Sequence, residues 1–215
     1  MKKFAVIAGT PVDTKAGYDL INHLPLDITL LPVSNTPKEQ THFQTSSIKD
    51  KVTFIEKQLN ELKNQDIHHA LVYCNSLSGS VDFDKLAKKF KMKLITPLHV
   101  YRNLANNYQR IGIIAANAQG AAGIERELIQ TNPTINTFSV TNLELVDSIE
   151  KSIHPSQLVQ AHGLESSLNY FKDNQVQAII MGCTHFPYIV DHYQELTDIH
   201  CLNPDQHLIK LIQSL

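Results

Sequence analysis

Lys3-Phe4-Ala5-Val6-Ile7-Ala8-Gly9-Thr10, near the start of the chain, has a counterpart 107 residues later in Arg110-Ile111-Gly112-Ile113-Ile114-Ala115-Ala116-Asn117. Each stretch is a basic residue, an apolar run, and a close of small or polar residues. Runs apolar on both faces are the pattern of parallel strands covered by helices on each side. Two further matches keep the offset. Leu31-Pro32-Val33-Ser34-Asn35 meets Phe138-Ser139-Val140-Thr141-Asn142 at 107 again, and Ala16-Gly17 meets Ala122-Gly123 at 106. In a chain of 215 residues that spacing is half the length, so the chain reads as two copies of one unit.

Working outward, the predicted strands are Phe4 to Ala8, Ile28 to Val33, Ala70 to Cys74, Leu94 to Ile95, Ile111 to Ala115, Ile135 to Val140, Ala178 to Met181 and Ile199 to Leu202. Amphipathic stretches lie between them. Ile48, Val52, Ile55, Leu59 and Leu62 follow helical spacing after a cap at Ser46 or Ser47. Leu158, Ala161, Leu164, Ser167, Leu168 and Phe171 do the same after Pro155. Ser34 to Thr45 is polar, contains Pro37, and is the most loop-like piece. Strand–helix alternation predicts an α/β fold with mostly parallel sheets.

Composition narrows the class of function. Nineteen Lys and Arg against 21 Asp and Glu leave a net charge of -2, which removes the long-range argument for nucleic acid or an acidic membrane as partner. No apolar run approaches the ~20 residues of a membrane span. The apolar run at the N-terminus stops well short of the ~7–15 residues of a signal-peptide core. A cytoplasmic protein is therefore expected. Three cysteines are too few for a disulfide framework, and in a reducing compartment they are available as thiolates. His68, His69, His192, His200 and His207 show no metal-ligand spacing, and no glycine-rich nucleotide motif is present.

Two of the cysteines occupy repeat-related places. His69-Ala70-Leu71-Val72-Tyr73-Cys74-Asn75-Ser76 parallels Gln177-Ala178-Ile179-Ile180-Met181-Gly182-Cys183-Thr184-His185, with Cys74 and Cys183 109 residues apart. Each is a buried strand ending in Cys and small polar residues. In open α/β sheets ligands bind beyond the carboxyl ends of strands. A lone Cys at a strand end is usually core; two in equivalent places point to function. A thiolate and a thiol on opposite sides of one carbon could remove a proton from one face and return one to the other. Asn75, Ser76 and Thr184 have the chemistry to hold a carboxylate beside the thiols. His185 could tune Cys183, although neighbours on a strand end rarely point at each other. Cys201, in Ile199-His200-Cys201-Leu202, reads as structural.

Gly182-Cys183-Thr184-His185-Phe186-Pro187 and Cys74-Asn75-Ser76 resemble the two active-site signatures of the aspartate/glutamate racemase superfamily, most of all those of glutamate racemase. Asn132-Pro133 also follows its second-domain pattern. The resemblance implies two pseudo-twofold-related α/β domains, residues 1–97 plus 205–215 and 98–204, with the active site in the cleft between them. It implies cofactor-independent racemisation of an acidic amino acid, with no metal. Cys74 and Cys183 would be the acid–base pair, His185 would support Cys183, and Thr10, Asn75, Ser76, Asn117 and Thr184 would bind substrate. The expected partner is a small-molecule amino acid, not nucleic acid or membrane, and the assembly pointed to is a homodimer. The chain departs from the pattern at Ala8-Gly9-Thr10, where glutamate racemases have Asp-Ser-Gly, and at Thr41-His42-Phe43, where their Pro-Tyr-Gly loop is not recognisable. Asp13, Glu144 and Asp147 are the candidates for an assisting carboxylate. The rival readings are an isomerase or decarboxylase of a small dicarboxylic acid on the same scaffold, and a non-catalytic sensor of small acids.

Overall fold

The computed structural model describes residues 1–215. In chain order the elements are β1 (Lys2–Ala8), α1 (Pro11–Ile21), β2 (Leu26–Pro32), α2 (Pro37–Thr45), α3 (Ile48–Asn64), β3 (His69–Val72), α4 (Asn75–Ser80), α5 (Phe83–Phe90), β4 (Lys93–Ile95) and α6 (Pro97–Leu104). There follow β5 (Arg110–Ala115), α7 (Ala118–Thr131), β6 (Asn136–Thr141), α8 (Leu143–Glu150), α9 (Pro155–Ala161), α10 (Leu164–Asp173), β7 (Ala178–Gly182), α11 (Val190–Gln194), β8 (His200–Leu202) and α12 (Asp205–Gln213).

The chain divides into two compact units, Met1–Pro97 with Asp205–Leu215, and Leu98–Pro204. Each holds a four-stranded, all-parallel sheet. In the first unit the order is β2-β1-β3-β4 and in the second β6-β5-β7-β8, the same arrangement twice. Register in the first sheet sets Lys2 against Leu26 and Ala5 against Ala70. In the second, Arg110 lies against Asn136 and Ile111 against Ala178.

Burial explains why the central strands β1, β3, β5 and β7 show no polar alternation. Phe4 to Ala8 are wholly buried, because helices cover both sheet faces. In the second unit the two faces feed separate cores. Ile111, Ile113, Ala115, Ala178 and Ile180 pack with Ile124 and Leu128 of α7, while Ile114, Ile179 and Met181 pack with Phe171 of α10 and Tyr193 of α11. Successive side chains of a strand point to opposite faces, so a strand that serves two cores is apolar throughout.

After β1 and β5 the chain turns into helices by the same device. Thr10 caps α1, its Oγ1 accepting the Asp13 N–H at 3.3 Å while the Asp13 carboxylate accepts the Thr10 N–H at 3.3 Å. Asn117 caps α7, its Oδ1 accepting the Gly120 N–H at 3.0 Å. The last element, α12, belongs to the first unit. Its Asp205 accepts the Tyr73 hydroxyl at 2.9 Å, which ties the end of β3 to the C-terminal helix.

The structure corrects three readings of the sequence. Ser34 to Thr45 is not a loop. From Pro37 it is helix α2, because Thr36 caps it with Oγ1 accepting the Glu39 N–H at 3.2 Å and Pro37 occupies a first-turn position. The stretch after Pro155 is two helices, α9 and α10, because Gly163 has φ 64°, a left-handed conformation that glycine adopts without steric cost. Strand β3 ends at Val72, so Cys74 lies beyond the strand, at the cap of α4.

Candidate active site

Each thiol stands where a central parallel strand gives way to a turn. In the first unit Tyr73 still donates its N–H to Ile7 at 2.8 Å, continuing the ladder for one residue beyond β3. Cys74 then adopts φ −163°, ψ 117° and begins α4. Its carbonyl accepts from both the N–H and the Oγ of Ser78, at 3.0 and 2.7 Å. These bonds fix the backbone from which Sγ projects. Cys74, Asn75 and Ser76 are all buried. The sulfur lies 3.2 Å from Gln40 Nε2 and 3.4 Å from Ser76 Oγ, and Gln44 Nε2 donates to Ser76 Oγ at 2.8 Å. Thr10 is buried at the adjoining strand end, after β1.

In the second unit β7 ends at Gly182. Cys183 is not on the strand, and the Phe186 N–H closes a turn on its carbonyl at 3.1 Å. That turn brings Cys183 and His185 to the same side, with Sγ 3.6 Å from Nδ1. The expectation that such close neighbours point apart holds for a strand and fails for this turn. His185 Nε2 lies 3.1 Å from Glu150 Oε1. A carboxylate only accepts, so Nε2 carries the proton and Nδ1 of the neutral ring is left as an acceptor facing the thiol. Glu150, His185 and Cys183 thus form a line along which a thiol proton can be drawn off, the arrangement of an activated nucleophile or base. Thr184 is buried beside it, and Asn117 sits at the adjoining strand end, after β5.

The carboxylate beside His185 is none of the three candidates from the sequence. Asp13 is engaged in the capping box of α1. Glu144 and Asp147 are exposed. Glu150 is the one that reaches His185, and its position on α8 explains why. Leu145, Val146 and Ile149 make the buried face of that helix; Glu150, four residues after Val146, borders this stripe, whereas Glu144 and Asp147 lie away from it. Gln40 and Gln44 were also missed, because the i, i+4 pairing that puts them on one face exists only once α2 is a helix.

Cys201 behaves as a core residue. It is buried in β8, and burial pushes its thiol up to about 11. No cluster of three or more His, Cys, Asp or Glu is arranged to hold a metal ion. No helix is long and apolar enough to cross a membrane.

No family model matches the chain. Glutamate racemase 3 of Caldanaerobacter subterraneus is 25% identical over 143 residues, covering 66% of this chain and 52% of its own. The chain thus spans about half the length of this curated relative. The crystal structure of glutamate racemase from Francisella tularensis in complex with D-glutamate superposes with a TM-score of 0.77 at 23% identity, covering 99% of this chain and 80% of that one. In sequence the chain is similar to glutamate racemases, and its fold is similar to theirs. The fold is likewise similar to that of aspartate racemase of Picrophilus torridus, with a TM-score of 0.70 at 19% identity, covering all of this chain and 94% of that one. A fifth of the Francisella structure is left unmatched by this chain.

Proposed function

We propose that this chain is a cofactor-independent amino-acid racemase acting on glutamate or aspartate, with Cys74 and Cys183 as its acid–base pair. One observation carries the reading. Both thiols follow the third strand of sheets that share one strand order, at the carboxyl edge where parallel sheets take their ligands. The names of the relatives and of the similar structures support the same reaction class.

In this reading the two thiols serve opposite faces of the substrate's Cα. One thiolate removes the α-proton, and the electron pair left on carbon delocalises into the α-carboxylate. The opposite thiol then delivers a proton to the other face, giving the mirror image. Deprotonation in the reverse direction exchanges the roles. Asn75, Ser76 and Thr184, beside the thiols, and Thr10 and Asn117, at the neighbouring strand ends, are the proposed ligands of the carboxylate and amino groups. Through His185, Glu150 would keep Cys183 ready to give or take a proton.

Incubation with L-glutamate or L-aspartate in D₂O tests the proposal. Loss of the Cα–H signal by NMR together with appearance of the D-enantiomer is the expected result. Binding without exchange would assign the chain to small-acid sensing, and conversion to another carbon skeleton to an isomerase or decarboxylase.

A further inference from the structure

Helix α2 presents one amide to the first thiol and a second to Ser76 beside it. Gln40 and Gln44 are one turn apart and share a face. Gln40 Nε2 donates directly to Cys74 Sγ, and Gln44 Nε2 donates to Ser76 Oγ. Ser76 accepts from Gln44 and has one proton of its own to give; the sulfur 3.4 Å away is placed to take it. The sulfur therefore faces two donors. A carboxamide neither takes up nor releases a proton near neutrality, so these groups are not proton carriers. Space for Gln40 is kept at Gly9, where a Cβ would stand 2.0 Å from Nε2. The helix is itself held in place. Lys51 of α3 donates to the Gln44 carbonyl at 2.8 Å, and Phe43 packs edge-on against Phe54 with ring centroids 5.2 Å apart.

We propose that Gln40, and Gln44 acting through Ser76, are positioning residues that hold Cys74 as its thiolate, making it the proton-accepting thiol at rest. The proposal rests on Cys74 being a working thiol, as read above. Hydrogen bonds to the charged form of an acid favour that form. Charged and titratable groups on the surrounding elements are Lys51, at the C-terminal carbonyls of α2, and Asp13, whose carboxylate receives the Thr10 N–H. On α2 there are Lys38, Glu39 and His42, with Glu39 receiving the Asn35 N–H. Helix α4 carries no charged residue. The donors on the sulfur itself are thus neutral, and their effect does not depend on a second titration.

The test is an NMR titration of the whole chain labelled with [13Cβ]cysteine, its three signals assigned with Cys→Ser variants. Gln40→Met keeps the length of the side chain and loses the donor. It should raise the Cys74 midpoint by about one pH unit, leaving about tenfold less thiolate below both midpoints. Gln40→Lys, which restores an N–H donor, should return the midpoint to the wild-type value or lower. Gln44→Met should shift it upward by less. If α2 served only packing, Met would be harmless and Lys would not. An unmoved Cys74 midpoint in Gln40→Met, with native Cys183 and Cys201 signals, overturns the proposal. Should Gln40→Met fail to fold, an unmoved midpoint in Gln44→Met overturns it equally. Absence of Cα exchange in the wild type would remove the racemase reading and leave this titration standing. An unmoved midpoint in an enzyme that does exchange would remove only the role of the amides.

Discussion

At the residue scale the two thiols differ in their surroundings although they occupy equivalent places. Cys74 faces an amide and a hydroxyl, while Cys183 faces an imidazole backed by a carboxylate. Cys74→Ser and Cys183→Ser are each expected to cut racemisation by at least ~10², the scale of a positioned acid or base. Cys201→Ala should leave the rate within about twofold, since a core sulfur takes no part; polarimetry of each purified variant checks all three. Glu150→Gln keeps an acceptor for His185 Nε2 and removes the charge that steadies the ring. An activity loss of about tenfold at unchanged thermal stability is expected, the low end for a group that supports general acid–base catalysis. A loss of stability without loss of turnover would make Glu150 merely structural. Cys74 and Cys183 were singled out in the sequence because a repeat places a Cys twice at a strand end, and His185 because it stands two residues after Cys183. Glu150 was not, because a carboxylate 35 residues from its partner leaves no local trace.

At the element scale, periodicity found all eight strands and failed where the backbone signal was a single residue. Gly163 interrupts what reads as one continuous amphipathic helix. With nothing within 4 Å of a Cβ built there, Gly163→Ala meets no clash, and its cost comes from the left-handed backbone alone. A loss of about 1 kcal/mol in a urea titration is expected. A change near zero would mean that the break between α9 and α10 is imposed by packing instead. Helix α2 was hidden for a related reason. Its polar sequence lacks a strong apolar stripe, and its start is written in a cap, Thr36 with Pro37. Thr36→Ala should cost about 1 kcal/mol and increase hydrogen exchange across Pro37–Thr45.

At the scale of the whole molecule the outstanding feature is the return of α12 to the first unit. Leu208 and Ile212 are buried there, and Asp205 takes the Tyr73 hydroxyl. Removing residues 205–215 should therefore raise hydrogen exchange in β1 to β4 while β5 to β8 stay protected. Equal deprotection of both sheets would show that the units do not unfold separately.

Taken by itself, the sequence determined the repeat, the α/β class, the parallel strands and the placing of two cysteines at strand ends. All of these depend on patterns a few residues long, set by the two-residue period of strands and the 3.6-residue period of helices. Only the tertiary structure decided which groups meet each sulfur. Gln40 reaches Cys74 across 34 positions and Glu150 reaches His185 across 35; such pairings follow from how helices pack on a sheet, and packing is a property of the folded whole.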